Sequence, residues 1–268
     1  MHRTVRVILA ALTVLASVLA PTIARADDGP DLCANRPGLG TPPCTLPAGG
    51  IMVELAAVGW ERSTSPGRRD DSLVHGDALF RAGLGRATEI EIGLGGWTHS
   101  FSQAGAISDA ASGLGDATFA VRHGFGSETG AKFAVQAYVA VPVGRPPGGA
   151  GDWGAGVLLP IALPLPAGFT LIATPEIAAA VNASGRGRHL AWGAVAGLEH
   201  ALTRAVSLSA ELSAFRDEDP EGVATESRLA LAAAWQVSPS LQIDIEVDIG
   251  LTPSAPDHAL LLGFAHRF

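Results

Sequence analysis

From residue 51 onward the chain is written largely in a period of two. Leu241, Ile243, Ile245, Val247 and Ile249 are aliphatic, and Gln242, Asp244, Glu246 and Asp248 between them are polar. Such spacing predicts a strand with two unlike faces. Val206, Leu208, Ala210 and Leu212 alternate in the same way with Ser207, Ser209, Glu211 and Ser213, as do Glu89-Ile90-Glu91-Ile92. Twelve strands are predicted, at 51–61, 72–83, 87–98, 114–124, 131–142, 152–163, 168–180, 189–200, 204–215, 225–236, 240–250 and 258–268. Most are 11–12 residues long. A tilted strand needs about 9–11 residues to cross a bilayer, whereas strands in soluble proteins centre on about 5–6.

The uncharged run at 153–175 is long enough for a membrane helix, but Pro160, Pro164 and Pro166 fall inside it. Each removes a backbone donor and clashes with the preceding turn, so the run is read as strand, turn, strand. Short turns are expected at 84–86, 126–130, 164–167, 202–203 and 238–240, and long polar loops at 62–71, 98–113 and 216–224. Short turns on one side and long loops on the other are the layout of a transmembrane barrel with both termini periplasmic. The predicted fold is all-β, an antiparallel up-and-down barrel of about 12 strands.

The two faces sort by chemistry. One collects Leu55, Phe80, Ile90, Ile92, Phe119, Val121, Leu190, Trp192, Leu229, Leu231, Trp235, Leu260, Leu262 and Phe264. The other carries Glu54, Asp77, Arg81, Glu89, Glu91, Asp116, Arg122, Lys132, Glu176, Glu199, Glu211, Arg228, Asp244, Glu246, Asp248 and Arg267. A soluble core cannot hold so many charges, because each unpaired one costs several kcal/mol. A wet or charge-networked lumen can, with lipid solvating the apolar face, and lipid tolerates no open strand edge. Eleven acids face five bases in this set, which favours cations or neutral solutes in an open pore. For Asp244, Glu246 and Asp248 two readings stand: a selectivity cluster, or an ion network with Arg228 and Arg267 on the flanking strands.

Composition narrows the classes. The chain is 47% hydrophobic and 16% charged, where an average soluble domain is about a quarter charged. That excludes disorder and coiled coil. Met1 to Arg6 is a basic start, 7–23 an apolar stretch, and Ala24-Arg25-Ala26 a cleavage triplet, so 1–26 reads as a secretory signal peptide. Its removal takes away three arginines and no acids, leaving 15 bases against 26 acids and a formal charge of −11. No basic stripe for nucleic acid can be built from that balance. Residues 27–50 are Pro- and Gly-rich without alternation, and are read as an irregular segment, periplasmic or partly inside the barrel mouth, before a barrel at 51–268. They hold the chain's two cysteines, Cys33 and Cys44, and an even pair in an exported protein predicts a disulfide.

The ending Leu262-Gly263-Phe264-Ala265-His266-Arg267-Phe268 resembles the signal that outer-membrane barrels present to their insertion machinery, with Phe264 and Phe268 as its aromatic positions. A wider resemblance rests on Arg81-Ala82-Gly83-Leu84, Glu89-Ile90-Glu91-Ile92-Gly93, Gly113-Leu114-Gly115-Asp116, Val141-Pro142-Val143-Gly144, Leu241-Gln242-Ile243-Asp244 and Gly263 through Phe268. In order and spacing these resemble the outer-membrane family named for the meta-pathway of phenol degradation. Ala117, where a polar residue is expected, departs from the pattern. The resemblance implies a passive transporter of small molecules, aromatic or hydrophobic ones included, in the bacterial outer membrane. Its partners are then lipid, the insertion machinery and an unnamed permeant.

Catalytic signatures are missing. The chain contains no GxSxG elbow, HExxH helix or phosphate loop, and nothing in it indicates a cofactor or a metal. His123, His200 and His266 lie near the short turns and read as interfacial residues. His75 and His189 lie nearer the outer loops, with no recognisable partner serine. The alternative to a transporter is an outer-membrane barrel enzyme acting on lipids, or a sealed structural barrel.

Overall fold

The computed structural model describes residues 32–126 and 130–268. The signal peptide read at 1–26 and the first residues of the segment read at 27–50 lie outside the described residues, as does the middle of the turn expected at 126–130.

The fold is a closed antiparallel barrel of twelve strands, each paired with its neighbours in the chain. They are β1 (Ile51–Ser65), β2 (Arg68–Gly85), β3 (Thr88–Leu94 and Trp97–Ala104), β4 (Ile107–Leu114 and Ala117–Gly126), β5 (Lys132–Val141) and β6 (Gly154–Leu158 and Ile161–Pro164). Then follow β7 (Phe169–Val181), β8 (Arg188–Ala201), β9 (Val206–Asp219), β10 (Gly222–Ser238), β11 (Leu241–Gly250) and β12 (His258–Arg267). The seam is β1 against β12, paired from Met52 opposite Arg267 to Arg62 opposite His258 with a register shift between Ala56 and Val58. Closure leaves no edge within the lipid band, as hydrocarbon requires.

Twelve strands are expected and twelve are found, but three long loops are not. Residues 62–71, 98–113 and 216–224 continue as paired hairpins: Ser65 opposes Arg68, Ala104 opposes Ile107, and Asp219 opposes Gly222. Beyond the lipid both faces of a ribbon are wet, so apolar–polar alternation fades while backbone pairing persists. The irregular connections are instead at 142–153, 182–187 and 251–257. Two strands break at matching heights, β3 at Gly95 and Gly96 and β4 at Gly115 and Asp116. A Cβ on Gly95 would lie 2.7 Å from the Gly115 Cα. The two backbones pass too closely there for any side chain.

The barrel has no central hydrophobic core. Its outward residues are Phe80, Ile90, Ile92, Phe119, Val121, Leu190, Trp192, Leu231, Trp235 and Leu262, all exposed. Its most buried side chains include Arg81, Arg122 and Glu89. Among the described residues the buried apolar cluster is small, made of Leu32, Leu46, Met52 and Ala265 where the N-terminal segment meets the wall.

Candidate channel lumen

The segment 32–50, expected to be irregular and periplasmic or partly inside the barrel mouth, runs inside the barrel and is fastened to its wall. Cys33 and Cys44 form the expected disulfide. The segment has almost no regular structure, so its amides need partners, and lumen carboxylates supply them. Asn35 N donates to Glu54 at 2.9 Å, Leu46 N to Glu89 Oε2 at 2.8 Å, and Gly38 N to Glu246 Oε2 at 2.7 Å. Leu39 N and Gly40 N share Glu211 Oε2, each at 2.8 Å. Arg36 clasps Asp244 through Nε at 3.0 Å and Nη2 at 2.8 Å. Small residues permit the approach. A Cβ on Gly263 would collide with the Arg36 guanidinium, and one on Gly83 with the carbonyls of Leu46 and Pro47.

Two arginines organise the opposite wall. Arg81 reaches Glu54 Oε1 at 2.9 Å and Glu89 Oε1 at 2.7 Å, and also donates to the Cys33 carbonyl. Arg122 reaches Glu91 Oε1 at 2.7 Å, Gln136 Oε1 at 2.7 Å, Asn35 Oδ1 at 3.0 Å and the Cys44 carbonyl at 3.1 Å. Glu54, Arg81, Glu89, Glu91 and Arg122 are thus one network, and the planar guanidinium forks suit it because each answers several oxygens at once. Glu211, Asp244 and Glu246 form a second group around the segment. Further towards the long-hairpin end, Arg228 joins Glu61 at 2.8 Å and Glu226 at 2.6 Å, with Asp248 at 3.7 Å.

Other expected lumen residues stand apart. Glu176 accepts from Tyr138 Oη at 2.6 Å. Asp77 is exposed opposite Ala56, and Lys132 makes no ion pair among the described residues. Glu199 borders a cavity of about 330 Å³ between the segment and β7–β10, together with Thr174, Arg204 and Gln236. A second cavity, about 340 Å³, lies across Asn35 and is bordered by Glu91, Gln136, Tyr138 and Glu176. Two expected lumen residues also hold backbone groups. Asp116 accepts from Gly144 N at 2.8 Å and Ala150 N at 2.7 Å, where its strand breaks. Arg267 donates to the Pro239 carbonyl at 3.0 Å in the β10–β11 turn; of the expected acid cluster, Asp248 lies 3.7 Å from Arg228 and Asp244 pairs with Arg36. The residues missed are Arg36, Asn35, Glu61, Gln136, Tyr138 and Gln242. The one available signal was the excess of acids, which called for further donors.

The outer wall carries two histidine groups. At the short-turn end His123 meets Phe125, His200 meets Phe169, and His266 meets Phe268, with ring centroids 4.3–4.7 Å apart; these pairs resemble the aromatic girdles of membrane barrels. At the other end His75 stacks on His99 at 5.3 Å, and His99 Nδ1 lies 2.9 Å from Ser112 Oγ. Among the described residues no carboxylate hydrogen-bonds that histidine, so the pair lacks the orienting group of a nucleophilic triad.

Known structures share this architecture. An outer membrane channel from Pseudomonas putida F1 is 16% identical with a TM-score of 0.66, covering 87% of this chain and 99% of that one. The NanC porin is 9% identical with a TM-score of 0.51, over 81% and 98%. The beta domain of the Bordetella autotransporter BrkA is 15% identical with a TM-score of 0.50, over 82% and 100%. At such identities the likeness concerns fold. No curated protein sequence matches the chain. The family model described as "Putative MetA-pathway of phenol degradation" matches residues 34–268, and with nearly all of the barrel and its inner segment covered, the chain belongs to that family.

Proposed function

We propose that this protein is a passive channel for small molecules in the bacterial outer membrane, without catalytic activity, narrowed from within by its own segment 32–50. The observation that carries this reading is the polar lumen on both sides of that segment. Two cavities of about 330 and 340 Å³ flank Asn35, their walls mixing carboxylates, amides and hydroxyls with leucine and alanine side chains. Volumes of that order suit a small solute. Many lumen acids are bound to the segment, so the field felt by a permeant comes mainly from Asp77, Glu176 and the Asp248 group, and cations or neutral molecules are favoured. Both termini are assigned to the periplasm, with lipid and the insertion machinery as partners and the long hairpins facing outward.

Planar-bilayer recording tests this. Small, steady, weakly cation-selective conductance is expected, rising severalfold when residues 32–49 are deleted from a barrel that still folds. No conductance from either protein would leave a sealed barrel. Lipid hydrolysis abolished by Ser112→Ala would turn the reading to an enzyme.

A further inference from the structure

Near the tips of the long hairpins, His189, Asp217 and Asp219 converge on the inner face. Asp217 ends the register of β9 against β8 opposite Ala191. Residues two apart share a face, so His189 meets both acids there. Among the described residues this is the one group of three such side chains whose donor atoms all lie within 4.8 Å of one another.

The imidazole carries the second observation. Its side chain is 5% exposed. Asn182 Nδ2 donates to the Arg186 carbonyl at 2.9 Å, which turns Asn182 Oδ1 towards His189 Nδ1, also at 2.9 Å. Asp219 Oδ2 lies on the same side, 3.3 Å from Nδ1, and with two acceptor oxygens facing it Nδ1 holds a proton. Nε2 is left as a buried lone pair that makes no hydrogen bond, although it faces Asp217 Oδ1 at 2.5 Å. Two electron-rich atoms at that separation repel unless a proton or a metal ion lies between or beside them. Asp219 is fixed by the N–H groups of Ala183 and Glu221, both at 2.7 Å, and Asp217 is half exposed, which opens the group to solvent. A histidine oriented through its other nitrogen by a carbonyl oxygen is the usual arrangement behind a metal ligand.

We infer that His189 Nε2, Asp217 and Asp219 bind a divalent transition metal of the zinc class at the outer mouth of the barrel. One imidazole with two carboxylates suits such an ion better than calcium or magnesium, which prefer all-oxygen sets. The bound ion would tie the 182–187 loop to the β9–β10 hairpin.

The test uses tag-free, EDTA-treated barrel in detergent, titrated calorimetrically with zinc chloride. Saturable one-to-one binding is expected, weakened at least tenfold in both His189→Gln and Asp217→Asn. Circular dichroism and heat-modified gel mobility establish that each variant is folded; Asp217 is half exposed and serves if His189→Gln fails to fold. X-ray absorption of the zinc complex should show a single imidazole among oxygen donors. No saturable binding, affinity unchanged in both folded variants, or two imidazoles on the ion (binding at the stacked His75 and His99 instead) would overturn the assignment.

Discussion

Arg81 shows what a single side chain must do inside a barrel without an apolar core. Fully buried, it answers Glu54 and Glu89 together and holds the Cys33 carbonyl as well. Removing it leaves Glu54 without a cation and Glu89 with Arg122 alone, at 3.3 Å, a kind of loss that costs about 3–5 kcal/mol when a buried pair is broken. Arg81→Ala should lower the urea midpoint of the refolded barrel by a corresponding amount, with Arg81→Lys in between because an ammonium cannot fork. Asp152 acts at the surface. It accepts from Gly187 N at 2.9 Å and Trp153 N at 2.8 Å, and these backbone donors, the Gly187 one foremost, hold its carboxyl below the ordinary range. A depressed folded value means the contribution is complete above the unfolded value, about 3.9, and is lost as pH falls through the folded one. Protease nicking of the 142–153 loop should therefore rise as pH drops from 5 towards 2, and in Asp152→Asn should no longer depend on pH over that window. At this scale the sequence told which face a charge occupies but not its partner. Asp244 finds Arg36 across 208 positions, a pairing that no local spacing encodes.

The strands were legible because lipid writes on them. Wherever hydrocarbon bathes one face, alternation marks the span, and all twelve follow from it. Where lipid ends, the marking ends too, so the hairpin extensions at 62–71, 98–113 and 216–224 read as loops although they are paired to their tips. The path of the inner segment was less legible for the opposite reason: it has neither helix nor strand, and much of its order comes from carboxylates, two arginines and a small apolar contact contributed by other elements. Gly83 records that contact on the β2 side, since a Cβ there would meet the Leu46 and Pro47 carbonyls. Gly83→Val should displace the segment while leaving β2 intact. Raised bilayer conductance and faster amide exchange at residues 44–49, with an unchanged barrel unfolding midpoint, are the expected results.

Taken whole, the molecule neutralises a surplus of lumen acids with a segment rich in N–H groups and carrying Arg36. Its orientation can be tested from outside. A cysteine at Arg68, on the exposed tip of β2, should react with an impermeant maleimide on intact cells, and one at Ser238, beside the β10–β11 turn, should react only after the outer membrane is opened. The reverse pattern would invert the assigned topology.

The segment that fills the lumen also constrains the order of assembly. It leads directly into β1, and β1 forms the seam with β12, the last strand made. A finished barrel would have to admit a covalent ring closed by Cys33 and Cys44 and then thread it past Arg81 and Arg122. An open sheet need only curl around it. Winding the strands around residues 32–50 before the seam closes avoids that threading, and a barrel begun without them would set its charges before their partners arrived.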